Sequence, residues 1–196
     1  MSVLLGLTGS IGMGKSTTAG FFADQGCPVW DADAAVHRLY APGGAAVMPL
    51  AALCPAALTV QGLDRMALKA WIAADASALR RIEAVVHPLV AADRAAFVAS
   101  CRADLVVLDV PLLFETGAET ALDATLLVTA PPAVQRARVL ARPGMTEEQF
   151  QTLLARQMPD AQKRSRATHI VETLSLVSVQ AYVIALIAYL KAASHA

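Results

Sequence analysis

Directly after an apolar run, the chain reads Gly9-Ser-Ile-Gly-Met-Gly14-Lys15-Ser16. The spacing is G-x-x-x-x-G-K-S, and it restricts the fold more than any other feature of the sequence. Its glycines permit a tight turn and let backbone N–H groups approach an oxyanion with no Cβ in the way. The helical pattern Lys15–Gln25 directs the positive end of its dipole at the same point. Lys15 adds a mobile charge, and the Ser16 hydroxyl suits Mg²⁺. This is a phosphate-binding loop between a strand, Val3–Thr8, and a helix. It predicts nucleotide binding but not, by itself, a reaction.

The remaining sequence continues that alternation. Short apolar runs at Val3–Thr8, Pro28–Asp31, Leu105–Val110, Ala124–Thr129 and His169–Glu172 lack strict polar alternation, as strands covered on both faces do. Helix-length segments separate them, so the expected class is α/β with a parallel sheet and right-handed crossovers. One gap is too long for a single crossover. Between the second and third runs, Leu63–Ala73, Ser77–Val86 and Leu89–Cys101 read as helices of an insert. A further segment, 136–166, concentrates Arg136, Arg138, Arg142, Arg156, Lys163, Arg164 and Arg166. There Pro143-Gly144 marks a turn, and Thr146 with Gln149 has capping-box form. Phe150, Leu153 and Leu154 form an apolar stripe on the helix that follows.

Composition excludes several classes. Hydrophobic residues make up 56% and mean hydropathy is +0.51, but 41 residues are alanine. The longest strongly apolar stretch, Ala181–Leu190, is shorter than the roughly 20 residues that span a bilayer, which predicts a buried helix. Sixteen basic residues balance 16 acidic ones, so no electrostatic footprint for nucleic acid or an anionic membrane is expected. Cys27, Cys54 and Cys101 form no CxxC pair, and the N-terminus lacks signal-peptide features. The expectation is a cytoplasmic protein with reduced thiols, a monomer or weak homo-oligomer.

Three observations bear on the reaction. Asp31 and Asp33 end the second strand, and carboxyl ends of parallel strands face the ligand crevice. One carboxylate could take a proton from an attacking hydroxyl while the other serves Mg²⁺ through water; alternatively Asp33 caps the helix Ala34–Tyr40. Asp109 ends an apolar strand in the position of a Walker B aspartate, a signal that is weak on its own. No Glu follows it, which favours transfer to a hydroxyl over hydrolysis, and no Asn-Lys-x-Asp guanine-reading motif occurs. The arginine-rich segment fits a lid that closes over phosphates. Pro88 disfavours helical geometry at His87 and predicts a break there. His37, His169 and His195 belong to no ligand pattern.

These residues together resemble the dephospho-CoA kinase family. The matching pieces are Gly6 through Thr17, Asp31-Ala-Asp33, Leu63-Asp-Arg65, His87-Pro88, Asp109-Val-Pro-Leu-Leu-Phe-Glu115, Arg138 with Arg142, and Gln157. The resemblance implies a three-layer P-loop kinase fold: a five-stranded parallel sheet, a helical substrate-side insert and a lid. It divides the chain into a core (1–40, 102–135, 167–196), an insert at about 41–101 and a lid at about 136–166. It implies ATP-dependent phosphorylation of the ribose 3′-hydroxyl of dephospho-CoA, with Mg²⁺. Gly12, Met13, Gly14, Lys15, Ser16 and Thr17 would hold ATP phosphates, with Arg138 and Arg142 from the lid. Asp33 would be the base, with Lys15 and Arg142 also catalytic. Arg65, His87, Pro111, Leu112, Leu113 and Glu115 would lie on the acceptor side with Asp33, and Ser16, Asp31 and Asp109 would serve the metal. The stretch Ala167–Thr173 departs from the family's usual Ala-Asp and Asp-Asn.

Two other readings fit parts of the sequence. Arg65, Lys69, Arg80 and Arg81 would suit the acceptor phosphate of a nucleoside monophosphate. A nucleotide-dependent scaffold would keep the loop without transfer, but the intact Lys15, Asp31, Asp33 and lid arginines argue against it.

Overall fold

The structure, a computed structural model, describes residues 2–193; His195 lies outside the described residues. In chain order the elements are β1 (Val3–Thr8), α1 (Lys15–Asp24), β2 (Val29–Asp31), α2 (Ala32–Tyr40), α3 (Val47–Leu53), β3 (Leu58–Thr59), β4 (Gly62–Leu63), α4 (Arg65–Ala74) and α5 (Ala78–Ser100). There follow β5 (Leu105–Asp109), β6 (Ala124–Thr129), α6 (Pro132–Leu140), α7 (Glu147–Ala155), α8 (Asp160–Arg166), β7 (His169–Glu172) and α9 (Leu176–Ala193). Contacts group them into two units, Met1–Trp30 with Cys101–Ala196, and Asp31–Ser100.

The first unit holds a five-stranded sheet in the order β2-β5-β1-β6-β7. β1 pairs in parallel with β5 (Leu5 opposite Val107) and with β6 (Leu7 opposite Leu126), and β6 pairs in parallel with β7. Chain order therefore reverses on either side of β1, whose carboxyl end runs into the glycine loop, and such a switch point is where α/β sheets bind ligands. β5 and β6 are buried at every position, which explains their unbroken apolar sequence. Leu5, Leu7, Val107, Leu126 and Val128 pack with Phe22 of α1 and with Val179, Val183 and Leu186 of α9. Phe22 is fully buried, and truncating it to Ala would cost about 3–5 kcal/mol.

α9 corrects one expectation. It is long and apolar enough by composition to cross a membrane, with mean hydropathy 1.7, yet only 28% of it is buried. Val179, Val183, Leu186, Ile187 and Leu190 face the sheet at helical spacing, while Val177, Ile184 and Tyr189 are exposed. It is a half-buried helix, not a wholly buried one. Leu153 of α7 is likewise exposed, so Phe150 alone anchors that stripe in the core.

The second unit has its own core of Leu39, Val47, Leu50, Leu63, Leu68, Ile82 and Val86. It begins at Asp31, ahead of the sequence boundary near residue 41, because α2 packs on α5. The expected break at His87 is absent: α5 runs through Pro88 without interruption. A proline removes one helical hydrogen bond, and burial of Ile82 and Val86 in this core offsets that loss. The short β3–β4 hairpin, its turn closed by Thr59 Oγ1 donating to Gly62 O at 2.9 Å, had no period-two signal to reveal it.

Candidate active site

The glycine loop is built by backbone geometry that the sequence dictates. Gly12 has φ 77° and Gly14 has φ 90°, both in the left-handed region that an L side chain enters only with strain. Gly14 forms the left-handed N-cap of α1, with no side chain taking the first amides. A Cβ there would stand 3.1 Å from Thr173 Oγ1. The open helix start is therefore left for a ligand's oxygens. Met13 turns its side chain into the core, where Ala130 N–H donates to its sulfur at 3.0 Å. Its backbone is engaged as well: the Met13 N–H donates to Ser10 O at 3.1 Å, and its carbonyl accepts from the Thr173 hydroxyl.

Lys15 Nζ forms an ion pair with Asp109, whose carboxylate is buried at the end of β5. Ser16 and Thr17 are exposed at the start of α1. The Ser16 hydroxyl and the Asp109 carboxylate are both oxygen donors of the kind Mg²⁺ prefers. No group of three or more His, Cys, Asp or Glu side chains that could hold a metal occurs among the described residues. That donor set fits an ion that takes most of its ligands from phosphates and water.

Beside the loop lies a cavity of about 250 Å³ lined by Gly12, Gly14, Thr17, Arg138, Arg142 and Thr173, with Phe21, Leu176 and Val179 among its apolar walls. Arg138 is fixed: its guanidinium donates to Thr173 Oγ1 at 2.9 Å and to the Thr173 carbonyl. The Thr173 hydroxyl lies 2.8 Å from Met13 O, and Thr173 N–H donates to Thr129 O. This one residue joins β6, the glycine loop and α6. It falls in the stretch that departs from the family pattern, and that departure was its only sequence signal. Arg142, one turn on, is exposed at the cavity rim.

The loop after β5 is divided. Leu112 is exposed, whereas Leu113 and Phe114 are buried, so the Leu113 side chain belongs to the core. Pro111 O accepts from Thr8 Oγ1 at 3.1 Å. Glu115 Oε1 accepts from Met158 N–H at 2.8 Å and lies 2.8 Å from Nζ of the fully buried Lys163. Burial alone would raise the Glu115 carboxyl; the Lys163 ammonium and the Met158 amide outweigh it and hold it below its ordinary value. Lys163, one of the seven basic residues of the 136–166 segment, is thus a buried partner of this loop and not a surface charge.

In the second unit, Asp31 caps α2, its Oδ1 accepting from Ala34 N–H at 2.9 Å. The cap is therefore not Asp33, which is exposed in the first turn. The strand ends at Asp31, so the period-two argument for placing both carboxylates on one side does not apply. Arg65 starts α4 with its guanidinium 5.7 Å from the Tyr40 ring centre, at the far end of α2 from Asp33. At 1.5 Å per residue that end is about 10 Å away. His87 is exposed on α5. The structure thus gathers Lys15, Ser16, Asp109, Arg138 and Arg142 around the glycine loop and places Asp31, Asp33, Arg65 and His87 on the second unit.

Comparison with known proteins agrees with this geometry. The dephospho-CoA kinase family model matches residues 3–177. A dephospho-CoA kinase of Cereibacter sphaeroides is 69% identical over 187 residues, covering 95% of each chain. One from Jannaschia sp. is 61% identical, covering 90% of this chain and 91% of that one. A crystal structure of a Thermus thermophilus protein has a TM-score of 0.85 at 37% identity, over 96% of this chain and 97% of that one. The dephospho-CoA kinase of Campylobacter jejuni shares the fold, with a TM-score of 0.72 at 20% identity over 99% and 100% of the two chains. A glycine loop opening on a bare helix start, a lysine paired with a buried strand-end aspartate, and this likeness along nearly the whole chain have one meaning: the chain belongs to the dephospho-CoA kinase family.

Proposed function

We propose that the chain transfers the γ-phosphoryl group of ATP to the ribose 3′-hydroxyl of dephospho-CoA, giving coenzyme A and ADP, the last step of coenzyme A synthesis. The observation that carries this reading is the 69% identity to a named dephospho-CoA kinase over 95% of both chains, joined to a complete phosphate loop.

The loop amides from Gly12 to Thr17 hold the ATP phosphates, and the dipole of α1 adds to their field. Lys15 leaves Asp109 to meet the phosphate oxygens. The apolar walls Phe21, Leu176 and Val179 receive the nucleoside, with Arg138 already fixed at its edge. Arg142 joins on lid closure and stabilises charge on the transferred group. Mg²⁺, held by Ser16 and through water by Asp31 and Asp109, would neutralise charge that builds on the phosphate oxygens. Asp33, free of the capping role, orients the 3′-hydroxyl and accepts its proton. Arg65, His87, Pro111 and Leu112 serve the acceptor; Leu113 contributes its backbone, and Glu115 shapes the loop after β5 that holds Pro111–Leu113. The protein works in the cytoplasm, consistent with its three free cysteines.

The test is an ADP-release assay that offers dephospho-CoA, AMP, CMP and adenosine in parallel, with NMR fixing the phosphate position. Turnover with dephospho-CoA alone and a 3′-phosphate product are expected. Preference for a nucleoside monophosphate would overturn the acceptor assignment.

A further inference from the structure

Gln157 matches the family pattern, yet the reaction as described gives it no task. It lies between α7 and α8, and its Oε1 accepts from the backbone N–H of Ile11 at 3.1 Å. From α6, the Nε2 of buried Gln135 donates to the carbonyl of the same Ile11 at 2.8 Å. A peptide N–H can only donate and a carbonyl can only accept, so both amide orientations are fixed by chemistry. Two side chains from the 132–166 segment thus grip one residue of the glycine loop.

Ile11 is where such a grip has consequence. The loop turns here, with Met13 N–H donating to Ser10 O at 3.1 Å and Gly12 at φ 77° in the third position of the turn. The peptide between Ile11 and Gly12 is planar and trans, so its N–H points opposite to its C=O. Holding the Ile11 carbonyl therefore fixes the direction of the N–H of Gly12, a residue that lines the cavity. A glycine in a turn carries little intrinsic barrier to flipping that peptide, so the loop's own sequence does not set its orientation.

We propose that Gln157, together with Gln135, is a positioning residue that holds the glycine loop in its phosphate-binding form and makes that form depend on the seating of the lid segment. The proposal rests on the reading of Gly12–Thr17 as the ATP phosphate site. It does not depend on which acceptor is used.

The experiment follows hydrogen exchange at the Ile11 amide by NMR in the full chain, alongside ATP affinity by calorimetry without acceptor and steady-state kinetics. In Gln157→Leu, exchange at Ile11 rises tenfold or more and ATP binds about tenfold more weakly, while KM for dephospho-CoA stays within twofold. Gln157→Glu keeps an acceptor oxygen at the same reach and restores Ile11 protection to within threefold of the parent. Parent-like exchange and ATP affinity in Gln157→Leu overturn the proposal. So does faster exchange spread evenly over α7 and α8, which would mark a merely structural role. If the parent phosphorylates none of the acceptors but Gln157→Leu still loses Ile11 protection and ATP affinity, the acceptor reading fails and this one stands.

Discussion

Lys15 at the start of α1 and Asp109 at the end of β5 form an ion pair. Asp109 is only 2% exposed, so the lysine compensates a buried charge. On the proposed reading, binding of a nucleotide would exchange one anion for another at Lys15. Lys15→Ala should lower kcat a hundredfold or more, and loss of the ion pair to the buried Asp109 should lower stability by roughly 1–3 kcal/mol. Steady-state kinetics and urea melts check both. Near-normal turnover in the folded variant would overturn the nucleotide assignment.

The two lid arginines should separate kinetically. Arg138 is already fixed on Thr173 at the cavity edge, so Arg138→Ala should weaken ATP binding even before transfer. Arg142 is exposed; with the lid closure proposed above it would engage only then, so Arg142→Ala should lower kcat about tenfold or more with a smaller change in ATP affinity. Calorimetry and kinetics on both variants read the split; equal losses of affinity would refute it.

Lys163 has no exposed side-chain surface, and its contact with Glu115 joins α8 to the loop after β5. Removing one partner of a buried pair strands the other, so Lys163→Met should destabilise by about 3 kcal/mol. Lys163→Met with Glu115→Gln should recover much of that loss in a double-mutant cycle.

The same pair sets a pH dependence. The Glu115 carboxyl is held below its ordinary value of 4.5, so the folded state releases this proton more readily than the unfolded chain does. Its stabilising contribution is complete above about 4.5 and is lost as pH falls from there through the lowered folded value. Chemical denaturation from pH 6 to 3 should show stability falling in that window, with a shallower fall in Glu115→Gln.

Asp33→Asn keeps shape and one acceptor oxygen but removes basicity. ATP affinity should stay near that of the parent while kcat falls by roughly a hundredfold. Raising Mg²⁺ should not restore it. Retention of most of the parent's kcat would remove Asp33 from the base role.

Local chemistry written in the sequence decided much of this protein. The five strands fall within a residue or two of their apolar runs, because strands buried on both faces need uninterrupted apolar side chains. The glycine loop and the Thr146–Gln149 capping box are short-range devices, and both formed as their spacing required. Elsewhere the tertiary structure decided. Pro88 stayed inside a helix because packing of the second unit outweighs one lost hydrogen bond, and Asp31 took the cap because the strand ended two residues earlier than alternation needed. Gln135, Gln157, Lys163 and Thr173 carry no local signature of their tasks. Each acts on a partner far away in sequence, Thr173 reaching Met13 and Gln157 reaching Ile11. Only the folded sheet brings those partners within hydrogen-bonding range.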